Sequence, residues 1–152
     1  MQMTPDKKKN KLYIVVPCYN EEQVLGETSK RLKIKCENLI QKGQISKDSK
    51  IVFVDDGSKD RTWKMISELH ETDSLFSGVK LSRNRGHQNA LLAGLTMASE
   101  HADMAISMDA DLQDDINAVD QMIEKYYEGC DIVYGVRSAR ETDTFFKRFT
   151  AE

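Results

Sequence analysis

Two short runs, Leu12-Tyr13-Ile14-Val15-Val16 and Ile51-Val52-Phe53-Val54, are apolar at nearly every position instead of every second one, and this restricts the fold more than any other feature of the chain. A strand without a polar face must be covered on both sides, which is the condition of a parallel sheet between layers of helices. Met104 to Met108 and Ile132-Val133-Tyr134 read as further strands of this kind. Val79-Lys80-Leu81 reads as a weaker one, following a turn at Ser77-Gly78. Pro17 has no N–H and is expected to end the first ladder.

Between these runs the periodicity changes. From Glu21 onward, Val24, Leu25, Thr28, Leu32, Cys36, Leu39 and Ile40 recur at spacings of three and four, the stripe of an amphipathic helix that Gly43 is placed to end. Trp63, Ile66 and Leu69 mark a second helical face, with Asp60 positioned to cap it. Ala90, Leu91, Gly94, Leu95 and Ala98 make a small-residue helix able to lie close on a sheet. A fourth helix carries Ile116, Val119, Met122, Ile123 and Tyr126 and is expected to begin near Asp114. Strand and helix alternate, so the expected fold class is α/β, a doubly wound, mostly parallel sheet with helices on both faces. The 152 residues suit one domain from residue 11 onward, preceded by a disordered lead-in over residues 1–10 that includes Lys7, Lys8 and Lys9.

Each apolar run gives way to polar residues: Tyr19-Asn20-Glu21, Asp55-Asp56, Asn84 to His87, Asp109 with Asp111, and Arg137. Ligands of doubly wound sheets bind beyond the carboxyl ends of the strands, so these clusters belong on one edge. Asp109-Ala110-Asp111 is the most informative. Where a strand breaks, two carboxylates one residue apart can converge on a hard cation through oxygen, which suits Mg²⁺ or Mn²⁺ better than Zn²⁺. The alternative, that these acids favour a helix amino terminus, fits Asp114 and Asp115 better than Asp109 and Asp111. A cation held by two carboxylates keeps open positions that a diphosphate fills, so a nucleotide substrate is expected. Asp55 or Asp56 can accept from a base's ring N–H or from ribose hydroxyls, with Gly57 permitting close approach; a simple turn is the other reading. Arg85 or His87, just before a helix, can meet phosphate oxygens.

Other classes are excluded by composition and by what is missing. A formal charge of −3, from 22 basic and 25 acidic residues, gives no electrostatic reason for a nucleic-acid partner. Cys18, Cys36 and Cys130 are odd in number and in no C-x-x-C pair, so reduced thiols are expected, with neither a disulfide framework nor a zinc site. No apolar stretch approaches the length of a spanning helix or a signal peptide, so the chain as given is expected to be soluble. The P-loop and dinucleotide fingerprints are both absent.

Val15-Val16-Pro17-Cys18-Tyr19-Asn20-Glu21-Glu22, Val54-Asp55-Asp56-Gly57-Ser58-Lys59-Asp60-Arg61-Thr62, Asn84-Arg85-Gly86 and Asp109-Ala110-Asp111-Leu112-Gln113-Asp114, in this order, resemble the family 2 glycosyltransferases of GT-A (Rossmann-like) fold. Tyr134-Gly135-Val136-Arg137 through Asp143, with Phe145-Phe146-Lys147-Arg148, further resembles the branch that makes polyprenyl-phosphate sugars, which includes bactoprenol glucosyltransferases and dolichyl-phosphate mannose synthases. The resemblance implies that Pro17, Tyr19, Asn20, Glu21 and Asp56, with Asp55 as a further candidate, surround the nucleoside of a nucleotide-sugar donor. It implies that Asp109 and Asp111 bind Mg²⁺ or Mn²⁺, with Gln113 joining the metal shell, and that Gly86 brings backbone close to the ligand. Arg137 and Arg140 would face the phosphate of a polyprenyl acceptor, although an ordinary ion pair with Glu141 or Asp143 would equally account for Arg140.

The implied reaction is an inverting transfer, UDP-glucose being the favoured donor type, in which the acceptor phosphate attacks the anomeric carbon. Such an acceptor is already anionic and needs orientation more than a strong base, and no obvious base is present. Family members continue beyond the arginine segment, so this chain is expected to be shortened at its carboxyl end. Membrane association, at the cytoplasmic face, is expected to come from the sequence missing here. Three other readings stay open: a saccharide acceptor, a metal-dependent phosphohydrolase with Asp55 or Asp109 as nucleophile, and a domain that only binds nucleotide.

Overall fold

The computed structural model describes residues 10–136. The lead-in up to residue 9 and the segment from Arg137 onward, including Arg140, lie outside the described residues. Strands and helices alternate as β1 (Leu12–Cys18), α1 (Leu25–Gln41), β2 (Lys50–Asp55), α2 (Thr62–Thr72), β3 (Phe76–Lys80), α3 (His87–His101), β4 (Met104–Ser107) and α4 (Ala118–Tyr127). The described strands form one sheet in the order β3-β2-β1-β4, and every pairing is parallel. The expected architecture is therefore present.

The uninterrupted apolar runs are explained by a core on each face. On one, Leu12, Ile14, Val16, Ile51 and Phe53 pack with Leu25, Leu32 and Leu39 of α1, Ile66 of α2 and Val119 and Ile123 of α4. On the other, Val15, Val52 and Val54 meet Ala90 and Ala98 of α3. Gly94 lets α3 lie this close, since a Cβ there would stand 2.4 Å from Val15 Cγ1 and 2.8 Å from Val54 Cγ2. Burying a leucine or valine stabilises by about 1.5–3 kcal/mol, so the central strands dominate the fold's stability.

Four local expectations are corrected. Pro17 does not end β1, which continues to Cys18 with Pro17 opposite Val54. Met108 N donates to Val15 O on one side and Asp56 N to Cys18 O on the other. By the alternation of a parallel strand, Pro17 thus turns its missing donor toward β4, whose pairing has already stopped at Val15 and Ser107. Ser77 and Gly78 are not a turn but the middle of β3, paired with Val52 and Phe53. The glycine is needed because a Cβ there would lie 2.6 Å from Ile66 Cγ2. The fourth helix starts at Ala118, not near Asp114. Asp115 Oδ1 accepts from Asn117 N at 2.9 Å, closing a side-chain turn that delays the helix. Finally, Ile132-Val133-Tyr134 is not a strand: Ile132 and Tyr134 are 72% and 82% exposed and pair with no strand among the described residues, so β-propensity alone does not hold them.

Candidate functional site

Connections run outward from β1 to β2 to β3, then return to place β4 on the other side of β1. The strand order reverses between β1 and β4. A crevice opens at such a point beyond the strands' carboxyl ends, and the loops after β1 and β4 are its walls.

Beyond β1, Tyr19 and Asn20 are exposed, and Asn20 has a positive φ of 51°, a conformation asparagine tolerates better than most residues. Its N–H donates to Ser58 Oγ at 2.9 Å and its Oδ1 accepts from Lys59 N at 2.8 Å, so the β1 and β2 loops are tied together. Glu21 N donates to Thr62 Oγ1 at 2.9 Å. Burial, followed by the charges of Asp111, Asp60 and Asp109, pushes the Glu21 carboxyl above the usual carboxylate range. Glu21 therefore sits in the field of the β4 acids. Asp60 behaves oppositely: burial works against its charge, but bonds from Thr62 and from Glu22 N outweigh it and hold the carboxyl low. Cys18 is a neutral thiol, because burial, then Glu21 and Asp55, raise its pKa.

Asp55 and Asp56 are both buried yet engaged differently. Asp55 Oδ1 accepts from Ser58 N at 3.3 Å, while its Oδ2 is buried with no hydrogen-bond partner in the chain. Asp56 Oδ1 accepts from Arg85 N at 2.7 Å and its Oδ2 from Gly86 N at 3.1 Å. Gly57, at φ +71°, lies so close beneath the β3 loop that a Cβ would fall 2.4 Å from Asn84 N. The turn reading of Asp55 to Ser58 is correct as geometry, but the turn is also a seat for the next loop. Gly86 has φ +91° and opens α3, which places His87 Nε2 3.8 Å from Asp109 Oδ1.

Asp109 and Asp111 are exposed on either side of buried Ala110. Thr28 Oγ1 of α1 donates to Ala110 O, and Leu112 N donates to Asp109 O at 3.2 Å, closing a turn in which Leu112 has φ +50°. A leucine in this region is strained, a cost that tends to concentrate at functional loops. Gln113 N donates to Asp111 Oδ1 at 3.3 Å, and the Gln113 side chain is exposed. Among the described residues no group of three or more His, Cys, Asp or Glu is arranged to hold an ion. Two carboxylates with open surroundings do not make a structural cage, but they fit Mg²⁺ or Mn²⁺ whose remaining ligands are water and substrate phosphate. Sequence reasoning overlooked Thr28, which it placed only on the helical stripe; a hydroxyl within an otherwise apolar stripe was the available signal.

A family model described as glycosyl transferase family 2 matches residues 13–151. The uncharacterized glycosyltransferase YkoT of Bacillus subtilis (strain 168) is 56% identical over 140 residues, 92% of this chain and 42% of that protein. A prophage bactoprenol glucosyl transferase homolog of Escherichia coli (strain K12) is 40% identical over 142 residues, 93% of this chain and 44% of that protein. The chain thus spans less than half the length of these relatives. Among solved structures, the mannosyltransferase PcManGT from Pyrobaculum calidifontis in complex with GDP-Man and Mn²⁺ aligns with a TM-score of 0.55 at 24% identity, over 68% of this chain and 28% of that one.

Proposed function

Because the chain belongs to glycosyltransferase family 2, we propose that it forms the donor-binding part of a metal-dependent, inverting transferase that moves a sugar, glucose from UDP-glucose in the favoured case, to a polyprenyl phosphate. The observation that carries this reading is the exposure of Asp109 and Asp111 on either side of buried Ala110 just past β4, beside the β1/β4 switch point, with His87 Nε2 of α3 3.8 Å from Asp109 Oδ1. A relative named as a bactoprenol glucosyl transferase homolog supports the acceptor, and a GT-A neighbour in complex with GDP-Man and Mn²⁺ supports a divalent cation. Of the two nucleophiles the phosphohydrolase reading offers, Asp55 is wholly buried and cannot meet a phosphorus atom, while Asp109 is exposed.

Asp109 and Asp111 hold the cation, with Gln113 beside them. When bound, the cation neutralises charge on the departing nucleoside diphosphate. Tyr19, Asn20 and Glu21 line the β1 wall next to the nucleoside, and Pro17 and the β2 loop underlie it. Asp55 lies wholly buried behind this wall, its Oδ2 without a hydrogen-bond partner in the chain. Arg137 and Arg140 orient the acceptor phosphate, one of whose oxygens bonds to the anomeric carbon as the bond to the diphosphate oxygen breaks. The acceptor is anionic before reaction, so no side chain has to remove a proton. No helix among the described residues is long and apolar enough to cross a membrane, and the whole protein is assigned to the cytoplasmic membrane face through its acceptor.

Thermal-shift titration with UDP-glucose and GDP-mannose, each with Mn²⁺ or chelator, tests the donor site without needing turnover. A donor at 100 times its dissociation constant stabilises by about 2.7 kcal/mol. Stabilisation by one donor, only with metal, and lost in Asp109→Ala, Asp111→Ala, is the expected result; metal-independent shifts that survive the double substitution would refute the site.

A further inference from the structure

Asp109 and Asp111 stand exposed beyond β4, but the residue between them is buried and held from a distant part of the chain. Thr28 lies on the buried stripe of α1 between Leu25 and Leu32. Both leucines are wholly buried and Thr28 itself is 3% exposed, so packing on either side fixes where its hydroxyl points. That hydroxyl donates to Ala110 O, 82 residues further along the chain. The oxygen belongs to the planar peptide group that runs from the Ala110 Cα to the Asp111 Cα, so holding it sets the plane from which the Asp111 side chain departs. The preceding peptide is held as well, because Leu112 N donates to Asp109 O at 3.2 Å. Both planes between the two carboxylates are therefore fixed, one inside the turn and one by α1. Leu112, at φ +50°, is in a conformation that persists only where the surroundings over-determine it. Ala110 and Leu112 pack in the same core cluster as Leu25 and Leu32 of α1.

We propose that Thr28 is a positioning residue for the cation: from beneath the β4 loop its hydroxyl sets the direction of Asp111 relative to Asp109, and with it the affinity for a divalent ion, while touching neither ion nor donor. This inference rests on the reading of Asp109 and Asp111 as cation ligands. Mg²⁺ tolerates little departure from octahedral geometry, so two carboxylates on a short turn serve it well only if their mutual orientation is kept. Groups that orient metal ligands without touching the metal change its affinity by about 10–100-fold. Ser29, the next residue of α1, gives the contrast. It is as deeply buried, at 4% exposure, but its Oγ donates at 2.9 Å to Gly26 O within its own helix.

The test is the dissociation constant of Mn²⁺ alone, read from the electron paramagnetic resonance signal of the free ion as it is titrated with the whole chain. Thr28→Val keeps the shape of the side chain and removes the hydroxyl; it is expected to weaken Mn²⁺ binding about tenfold. Thr28→Ser keeps the hydroxyl and is expected to stay within about twofold of wild type, the lower end of context scatter for an outer-shell partner. Ser29→Ala removes a buried hydroxyl that does not reach the loop and is expected to leave binding unchanged. Wild-type affinity in Thr28→Val overturns the proposal, and so does an equal loss in Ser29→Ala, which would make the effect one of general destabilisation. The double substitution Asp109→Ala, Asp111→Ala separates the two levels of inference. If wild type binds Mn²⁺ no more tightly than this variant, the cation-site reading falls and the proposal with it; if binding is lost there but kept in Thr28→Val, the proposal alone falls. Thr28→Ala, with a smaller side chain, carries the same expectation should Thr28→Val not fold.

Discussion

Replacing Gly57 with alanine probes how firmly the β3 loop is pressed onto the β2 turn. Two costs add. The backbone at φ +71° is left-handed, which penalises an L side chain by about 1–2 kcal/mol. The new Cβ would lie 2.4 Å from Asn84 N, 2.6 Å from Arg83 C and 3.0 Å from Arg83 Cα. All three are backbone atoms, so no rotamer change relieves the overlap and the loop itself must move, at a further cost of about 1–3 kcal/mol. Reduced freedom of the unfolded chain returns about 0.4–1 kcal/mol. The net expectation is a loss of about 1–4.6 kcal/mol, or about 3–14 °C in melting temperature for a domain of this size. Urea denaturation followed by circular dichroism measures it, with Gly26→Ala as control. Gly26 lies in α1, and a Cβ added there would meet no atom within 4 Å, so alanine should be neutral or stabilising by up to about 1 kcal/mol. A Gly57→Ala protein within about 0.5 kcal/mol of wild type would refute the argument, because it would show that the loop yields without cost.

Two charge predictions follow from the same crevice and from the far side of the sheet. Glu21 has a raised carboxyl in the fold, so its stabilising contribution is complete below the ordinary carboxylate range and is lost as pH rises through the raised value. Glu21→Gln should therefore be more stable than wild type at neutral pH, with the gain vanishing in acid, as read by urea denaturation at several pH values; a gain that persists in acid would point to packing instead. Asp73 has the opposite sign. Its bonds from Lys33 and from Leu75 N outweigh burial and hold the carboxyl low, so stability present above the ordinary range is lost as pH falls through the lowered value. Asp73→Asn should destabilise at neutral pH and become indistinguishable from wild type in strong acid, in the same assay.

Much of the architecture was legible because it is written in local patterns. Leu12 to Val16 and Ile51 to Val54 are apolar on consecutive positions, which only a doubly covered strand explains, and the stripe from Leu25 to Leu39 has a single helical solution. The acids after β4 stood out as candidates because they directly follow an apolar run, although β4 itself has exposed positions at Ala105 and Ser107. Local patterns misled where a partner elsewhere in the chain decided the matter. Ser77-Gly78 has turn composition, but Ile66 and Trp63 of α2 require a glycine inside β3. Ile132 to Tyr134 has strand composition, but lacks a strand partner among the described residues.

The sequence by itself determined the order of strands and helices, the faces they bury and the edge on which the polar clusters gather, because hydrophobic periodicity and strand ends are properties of neighbouring residues. Only the tertiary structure separated Asp55 from Asp56. The two are adjacent, chemically identical and equally buried in outline, and they differ in that Arg85 and Gly86, thirty residues away in the β3 loop by the separation of Asp56 from Gly86, donate to one carboxylate and not to the other. Hydrogen-bond donors are assigned by the position of loops in space, and no spacing along the chain encodes which of two neighbouring acceptors they will reach.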